Sequence, residues 1–297
     1  MAVFPVTVTG GTAERNKRLK EIGITELKPF EGHPYKVRDD NEMDALVDSI
    51  REHGIMTPLI VRRVNDGYEI ISGHRRAHAA ELAGLATVPV IEMELNRDEA
   101  AVMLVDSNLH REHILPSEKA FAYKLKSEAL EHQGKSLTSG QVVPKSDGNR
   151  TTAAIGAQTG ESYKTVQRYI RLTHLLPALL EMVDSERIAF SVGVELSFLD
   201  PELQAALVTS IGVNDCTPSY AQANRMHKAA VAGELDEEML FAIMEEEKPN
   251  QREKVSISTD ELRRYLPNAT PSEMQAFVRK ACEHYSAFLK KNREEVR

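Results

Sequence analysis

The chain has 297 residues, 41% of them hydrophobic and 28% charged, enough for two or three domains with sizeable cores, and no apolar run approaches membrane-spanning length. A net charge of −8 argues against a protein coated in nucleic acid, yet permits one basic face on an acidic body, because exposed charges beyond a Debye length are screened. Two distant cysteines, Cys216 and Cys282, suggest neither a disulfide framework nor a zinc knuckle, and without a charged-then-apolar leader the expectation is a cytoplasmic protein.

Residues 1–23 show no clear period and read as a flexible arm. Asn41–His53 then places Met43, Leu46, Val47 and Ile50 on one helix face, which Gly54 ends. Pro58–Val64 and Tyr68–Ile71 read as strands joined through the hairpin turn Asn65-Asp66-Gly67. A helix follows to Gly84, then a strand over Thr87–Leu95 and a helix over Asp98–Val105. The N-terminal third, residues 24–115, is therefore read as a mixed α+β domain.

From Ser117, expected to cap a helix carrying Phe121, Leu125 and Leu130, the pattern is helical almost throughout. Gly134–Arg150 is rich in Gly, Ser and Lys and reads as a surface loop. Helices are expected near 176–185, 191–199, 201–210 and 218–232, the last with Pro218 in its first turn. These complete a helical domain over 116–232, followed by a helical C-terminal module over 233–297. Gly233–Asn250, with seven acidic residues and one basic, reads as an amphipathic helix with a solvated acidic face. The last helix opens on Thr270–Glu273 as a capping box with Pro271 at its first position, and its Met274, Phe277, Val278, Ala281, Tyr285 and Phe288 are expected to pack on the protein's own body.

Two stretches carry chemistry. Ala154–Thr173 reads as two short helices about a tight turn, with Gly160 at the turn and Ser162 capping the second helix. Val166, Tyr169 and Ile170 make its apolar face, while Lys164, Arg168 and Arg171 recur on another. Gly156 is expected where two helices cross with little room. This is the pattern of a helix-turn-helix, whose second helix enters the major groove of DNA. Ser162, Tyr163, Lys164, Thr165, Gln167, Arg168 and Arg171 are its candidate DNA-binding residues, of types that reach bases and phosphates. An ordinary helical hairpin with a solvated basic face is the alternative. The local charge favours the first reading: basic residues 150, 164, 168 and 171 stand against acidic residue 161.

The second stretch, SGHRR at 72–76, lies on a strand–turn–helix junction, where free amides, a glycine and two arginines suit an anion. A further polar cluster, Asn108, Arg111 and Glu112, follows at a helix end. Four histidines nearby, His74, His78, His110 and His113, lack the carboxylate or thiolate that would complete a metal site, and none is expected.

Taken in order, PLIVRR at 58–63, YEIISGHRRAHAAELAG at 68–84, DSNLHRE at 106–112, the helical hairpin with RLTHLLPALLEMV at 171–183, and ELSFL at 195–199 resemble the ParB family of DNA-partition proteins, over residues of about 24–200. The part after 200 is unlike the short dimerising tail of chromosomal ParB proteins, so the chain is more similar to the ParB-like proteins of plasmids and conjugative elements. The resemblance implies a ParB/sulfiredoxin-like α+β domain, then an all-α helix-turn-helix DNA-binding domain, then the helical C-terminal module. It implies a bacterial, nucleoid- or plasmid-associated homodimer that reads a palindromic site in double-stranded DNA and partners a Walker-type ATPase. It also implies CTP with Mg2+ in the N-terminal domain, closure into a sliding clamp and slow CTP hydrolysis. Carried onto this chain, the nucleotide-binding residues are Gly73, His74, Arg75, Arg76, Asn108 and Arg111, with Thr57 and Arg62 added. His74 stands where the family usually has an acidic residue. Ser107 replaces the glutamate that helps hold the magnesium, and a hydroxyl is a weaker hard-cation ligand than a carboxylate, so binding without hydrolysis is the expectation.

Sulfiredoxin, which shares the N-terminal fold, needs a cysteine in the phosphate turn, and here the turn is Ser-Gly-His-Arg. A phosphotransferase or nuclease would need paired carboxylates, and Glu69, Glu81 and Glu112 show no such spacing. The remaining alternative is a transcriptional repressor without nucleotide switching.

Overall fold

The structure, a computed structural model, describes residues 18–109, 111, 113–137, 148–246, 258–267 and 269–295. One compact unit reaches to Glu245 and a second begins at Glu246.

The first unit opens on a five-stranded sheet. Its strands are β1 (Arg18–Gly23), β2 (Leu27–Pro29), β3 (Leu59–Val64), β4 (Gly67–Ser72) and β5 (Thr87–Glu92), in the spatial order β1-β5-β3-β4-β2. β3 and β4 form the expected antiparallel hairpin, with Val64 opposite Gly67. β5 runs parallel to β3 and β2 parallel to β4. Side-chain alternation along the strands sends Leu59, Val61 and Ile70 into one core and Ile71 into another. The first core is covered by α1 (Asn41–His53), through Met43, Val47 and Ile50, and by α2 (His74–Leu82), through Ala77, Ala79 and Ala80. The second is covered by α3 (Arg97–Asn108), through Ala100, Ala101, Leu104 and Val105.

Several expectations need correcting here. Arg18–Gly23 is an edge strand rather than arm: it pairs antiparallel with the whole of β5, because β5 has a free edge on that side. The strand expected to reach Leu95 stops at Glu92. Ser117 caps nothing. The helix α4 (Pro116–Leu137) starts one residue earlier, and Ser117, buried within it, donates from its amide at 2.9 Å and its hydroxyl at 2.5 Å to the Asp184 carboxylate. Phe121 points outward, and the buried face is made by Ala120, Ala122 and Tyr123.

The helices α5 (Gly148–Thr159), α6 (Tyr163–Leu172), α7 (Pro177–Asp184), α8 (Phe190–Leu196), α9 (Pro201–Asn214), α10 (Tyr220–Ala232) and α11 (Glu237–Glu245) complete the unit. The expected loop over 134–150 is thus helical at both ends, and residues 138–147 lie outside the described residues. Leu172, Leu179, Leu196, Leu207, Met226 and Leu240 share one core, which explains why the compact unit runs past residue 232. Pro218 precedes the cap of α10 instead of entering its first turn: Ser219 accepts from Gln222 N at 3.3 Å.

The second unit holds α12 (Thr259–Arg263), which sequence periodicity missed, and α13 (Pro271–Glu295). Its capping box is present, with the Thr270 amide donating to Glu273 at 2.7 Å and the Glu273 amide to Thr270 Oγ1 at 3.4 Å. Met274 of the expected stripe is buried, whereas Phe277, Tyr285 and Phe288 are exposed. No helix among the described residues is long and apolar enough to cross a membrane.

Candidate functional site

The α5–α6 hairpin is built by local rules. Gly160 takes φ +75° at the turn. Ser162 Oγ then accepts from the Thr165 amide at 3.1 Å and caps α6. A Cβ on Gly156 would lie 2.5 Å from the Glu161 carbonyl oxygen, so only glycine lets the turn fold back onto α5, where the Glu161 amide donates to the Gly156 carbonyl at 2.9 Å. Val166 is fully buried against Tyr123 and Ile155, worth about 2 kcal/mol of apolar burial. The opposite face points outward: the capping Ser162 and Tyr163, Lys164, Gln167 and Arg168 of α6 are exposed and Thr165 is half-buried. The Arg168 guanidinium lies 5.2 Å from the Phe190 ring centre. Arg171 departs from the expected set. Its guanidinium donates to the Ser197 carbonyl at 2.7 Å and to Ser197 Oγ at 3.2 Å and covers Phe198 at 4.0 Å, so it ties α6 to the end of α8.

The second site forms where β4 passes into α2. Gly73 turns the chain there at φ +103°, a conformation that strains any residue with a side chain. A Cβ at that position would also crowd Leu59 Cγ and the Arg76 guanidinium, each at 3.1 Å. A cavity of about 210 Å³ opens beside it. Of the expected residues, Gly73, His74, Arg75, Arg76, Asn108 and Arg111 line it together. Thr57 and Arg62 do not. Arg62 Nε is drawn to Glu69 Oε2 at 2.6 Å on the neighbouring strand, and Thr57 contributes its carbonyl to Arg76, which also donates to the Pro58 carbonyl at 3.1 Å. Arg75 donates to Asp40 at 3.1 Å and Glu42 at 3.4 Å, and Asp40 at the same time caps α1. Ser107 Oγ donates back to the Leu104 carbonyl at 2.9 Å. His110 and Glu112 lie outside the described residues.

Sequence reasoning missed the opposite wall, His33, Tyr35, Lys36 and Val37. Its signal was a histidine and an aromatic around a proline in a connecting loop, a pattern without period. The His33 and His74 rings pack with centres 3.7 Å apart and planes tilted by 33°, and His74 Nε2 accepts from the Phe30 amide at 3.4 Å. Burial, aided by the neighbouring His33, pushes His74 down to about 3, and burial lowers His33 too, so both are neutral near pH 7. Tyr35 is only 4% exposed, and its phenol has no hydrogen-bond partner among the described residues. Burial raises its pKa and keeps it protonated. A larger cleft of about 780 Å³ shares Lys36, Arg75 and Arg111 with the cavity. No group of three or more metal-binding side chains occurs among the described residues. The walls therefore offer cations, a phenol and neutral imidazoles, a chemistry suited to an anion with several oxygens.

The family model of the ParB N-terminal domain matches residues 9–109. The chain is 32% identical over 181 residues to the chromosome-partitioning protein Spo0J of Thermus thermophilus, covering 61% of this chain and 60% of that one. It is 30% identical over 213 residues to the stage 0 sporulation protein J of Bacillus subtilis, covering 70% of this chain and 69% of the relative. Two structures of C-terminally truncated ParB from Caulobacter crescentus are also similar. The one complexed to the centromeric parS site has 21% identity and a TM-score of 0.40, covering 70% of this chain and 98% of that one. The one complexed with CTP-gamma-S has 24% identity and a TM-score of 0.30, covering 65% and 98%.

Proposed function

The chain belongs to the ParB family, and from that premise we propose that it is a sequence-specific DNA-binding partition protein, acting as a homodimer in plasmid or chromosome segregation. The observation that carries this reading is the outward, basic and polar face of α6, held against α5 by a corner that tolerates no side chain at residue 156. A short capped helix presenting Tyr163, Lys164, Gln167 and Arg168 together has the size and donors to enter a major groove. Arg171 is left out of the reading set, because its donors are held by Ser197.

The second part of the proposal is that the cavity at the start of α2 takes the phosphates of a nucleotide, CTP in the manner of the family, and that nucleotide governs a clamp on DNA. Its support is the convergence of Lys36, Arg75, Arg76 and Arg111 with a helix start. A Walker-type ATPase partner and a nucleoid- or plasmid-associated place in a bacterial cell complete the reading.

The test is operator binding across salt. Arg168→Ala should cost about 1–3 kcal/mol on the cognate palindrome if the guanidinium reads a base edge bidentately. Unchanged affinity in that variant would remove α6 as the reading helix. Nucleotide dependence separates a clamp from a simple repressor: a clamp accumulates on closed DNA when CTP is added, whereas a repressor binds its operator equally without it.

A further inference from the structure

We propose that this pocket holds its nucleotide's phosphates without a divalent cation, with Lys36, Arg75, Arg76, Arg111 and the Tyr35 phenol supplying what a hard metal ion would supply. The inference rests on the nucleotide reading above and concerns how the charge is met.

The donor set does not fit magnesium. That ion demands near-octahedral oxygen ligands and usually one or two carboxylates. The two positions to which the family resemblance assigns an acidic residue hold His74, on the cavity wall, and Ser107, next to the lining Asn108. The His74 ring is packed against His33 and its Nε2 is already an acceptor for the Phe30 amide. The Ser107 hydroxyl is turned away along its own helix, donating to the Leu104 carbonyl, and it accepts from Asn108 Nδ2 at 3.2 Å. The nearby carboxylates are engaged. Asp40 and Glu42 receive Arg75, and the two oxygens of Glu118 accept the Lys36 amide at 2.9 Å and the Leu115 amide at 3.2 Å.

What the cavity does offer is a set of protein donors. Four cationic side chains line its wall, although Lys36 Nζ also reaches Asp184 Oδ2 at 3.3 Å and Arg75 and Arg76 also donate within the chain. Arginine forks match phosphate oxygens bidentately and remain charged at any physiological pH. Tyr35 is the independent sign of a ligand. A buried phenol without a partner is destabilising, and an acceptor supplied by a ligand would relieve that cost. A phenol O–H can donate to a phosphate oxygen, so a nucleotide phosphate is one group that would complete it.

The test is calorimetry of CTP with the full chain, in magnesium and in EDTA, in the presence and absence of operator DNA. The dissociation constants should agree within about twofold. Loss of about tenfold or more in EDTA overturns the proposal and leaves the nucleotide reading intact. No binding under either condition overturns both. Ser107→Glu should weaken binding in EDTA and make it recover with magnesium; a variant indifferent to the metal would count against the assignment of position 107. Tyr35→Phe keeps the packing and removes the orphan donor, so it should fold at least as stably while binding CTP about tenfold more weakly in EDTA. Wild-type affinity in that variant would remove the phenol from the donor set.

Discussion

The side chain at 74 shows how a single residue sets its own protonation. The imidazole is packed on His33 and receives a backbone amide on Nε2, so taking up a proton would cost both hydration and that contact. Its pKa falls from 6.5 to about 3, chiefly through burial. A depressed histidine means that the unfolded chain binds the proton first. Stability is therefore full above about pH 6.5 and declines as pH falls toward about 3, with a slope of up to about 1.4 kcal/mol per unit from this one group. His33 acts in the same direction. Urea unfolding at a series of pH values should show a shallower acid decline for His74→Gln than for the wild type. Parallel curves would mean that His74 is solvated and titrates freely.

At the scale of elements, the hairpin was legible because its rules are local. A glycine turn, a serine cap and a three-to-four apolar period act within twenty residues, and the structure returns each at its expected position: Gly160, Ser162 and Val166. The same holds for α1 and the β3–β4 hairpin. Elements fixed by distant partners were not legible. Nothing in Arg18–Gly23 announces a strand until the free edge of β5 is known, and the role of Ser117 depends on Asp184, 67 residues away. The cavity was half legible, since SGHRR is a local motif whereas His33, Tyr35 and Lys36 reach it by tertiary folding. The hairpin also yields the sharpest test of an element. Gly156→Ala drives a methyl group into a backbone oxygen 2.5 Å away, and backbone cannot yield as a flexible side chain would. We expect a loss of about 2 kcal/mol in urea unfolding, with operator binding falling in parallel. A variant with the wild-type midpoint would show that the corner is looser than the geometry requires.

Across the first unit, α4 is the shaft on which cavity and hairpin both hang. At its start Glu118 accepts from the Lys36 amide on the cavity wall. Further along, Lys119 and Tyr123 both hold Glu161 in the α5–α6 turn. Deeper still, Lys126, 3% exposed at its side chain, donates to Asp106 on α3 and to Gln158 on α5. Asp106 lies two residues before the cavity's Asn108, and Gln158 two before the turn glycine, so one ammonium joins the two candidate sites. The pair is asymmetric, because the Asp106 side chain is 33% exposed. Removing the carboxylate leaves a buried cation with only an amide oxygen, whereas removing the cation leaves a carboxylate that water can reach. Asp106→Ala should therefore cost about 3 kcal/mol in urea unfolding, and Lys126→Met, which keeps the apolar stem, about 1 kcal/mol. The opposite order would mean that the ammonium is hydrated and that Asp106 needs it more than it needs Asp106. A double-mutant cycle between Asp106 and Gln158, which do not share a helix, then measures how much of the link passes through Lys126.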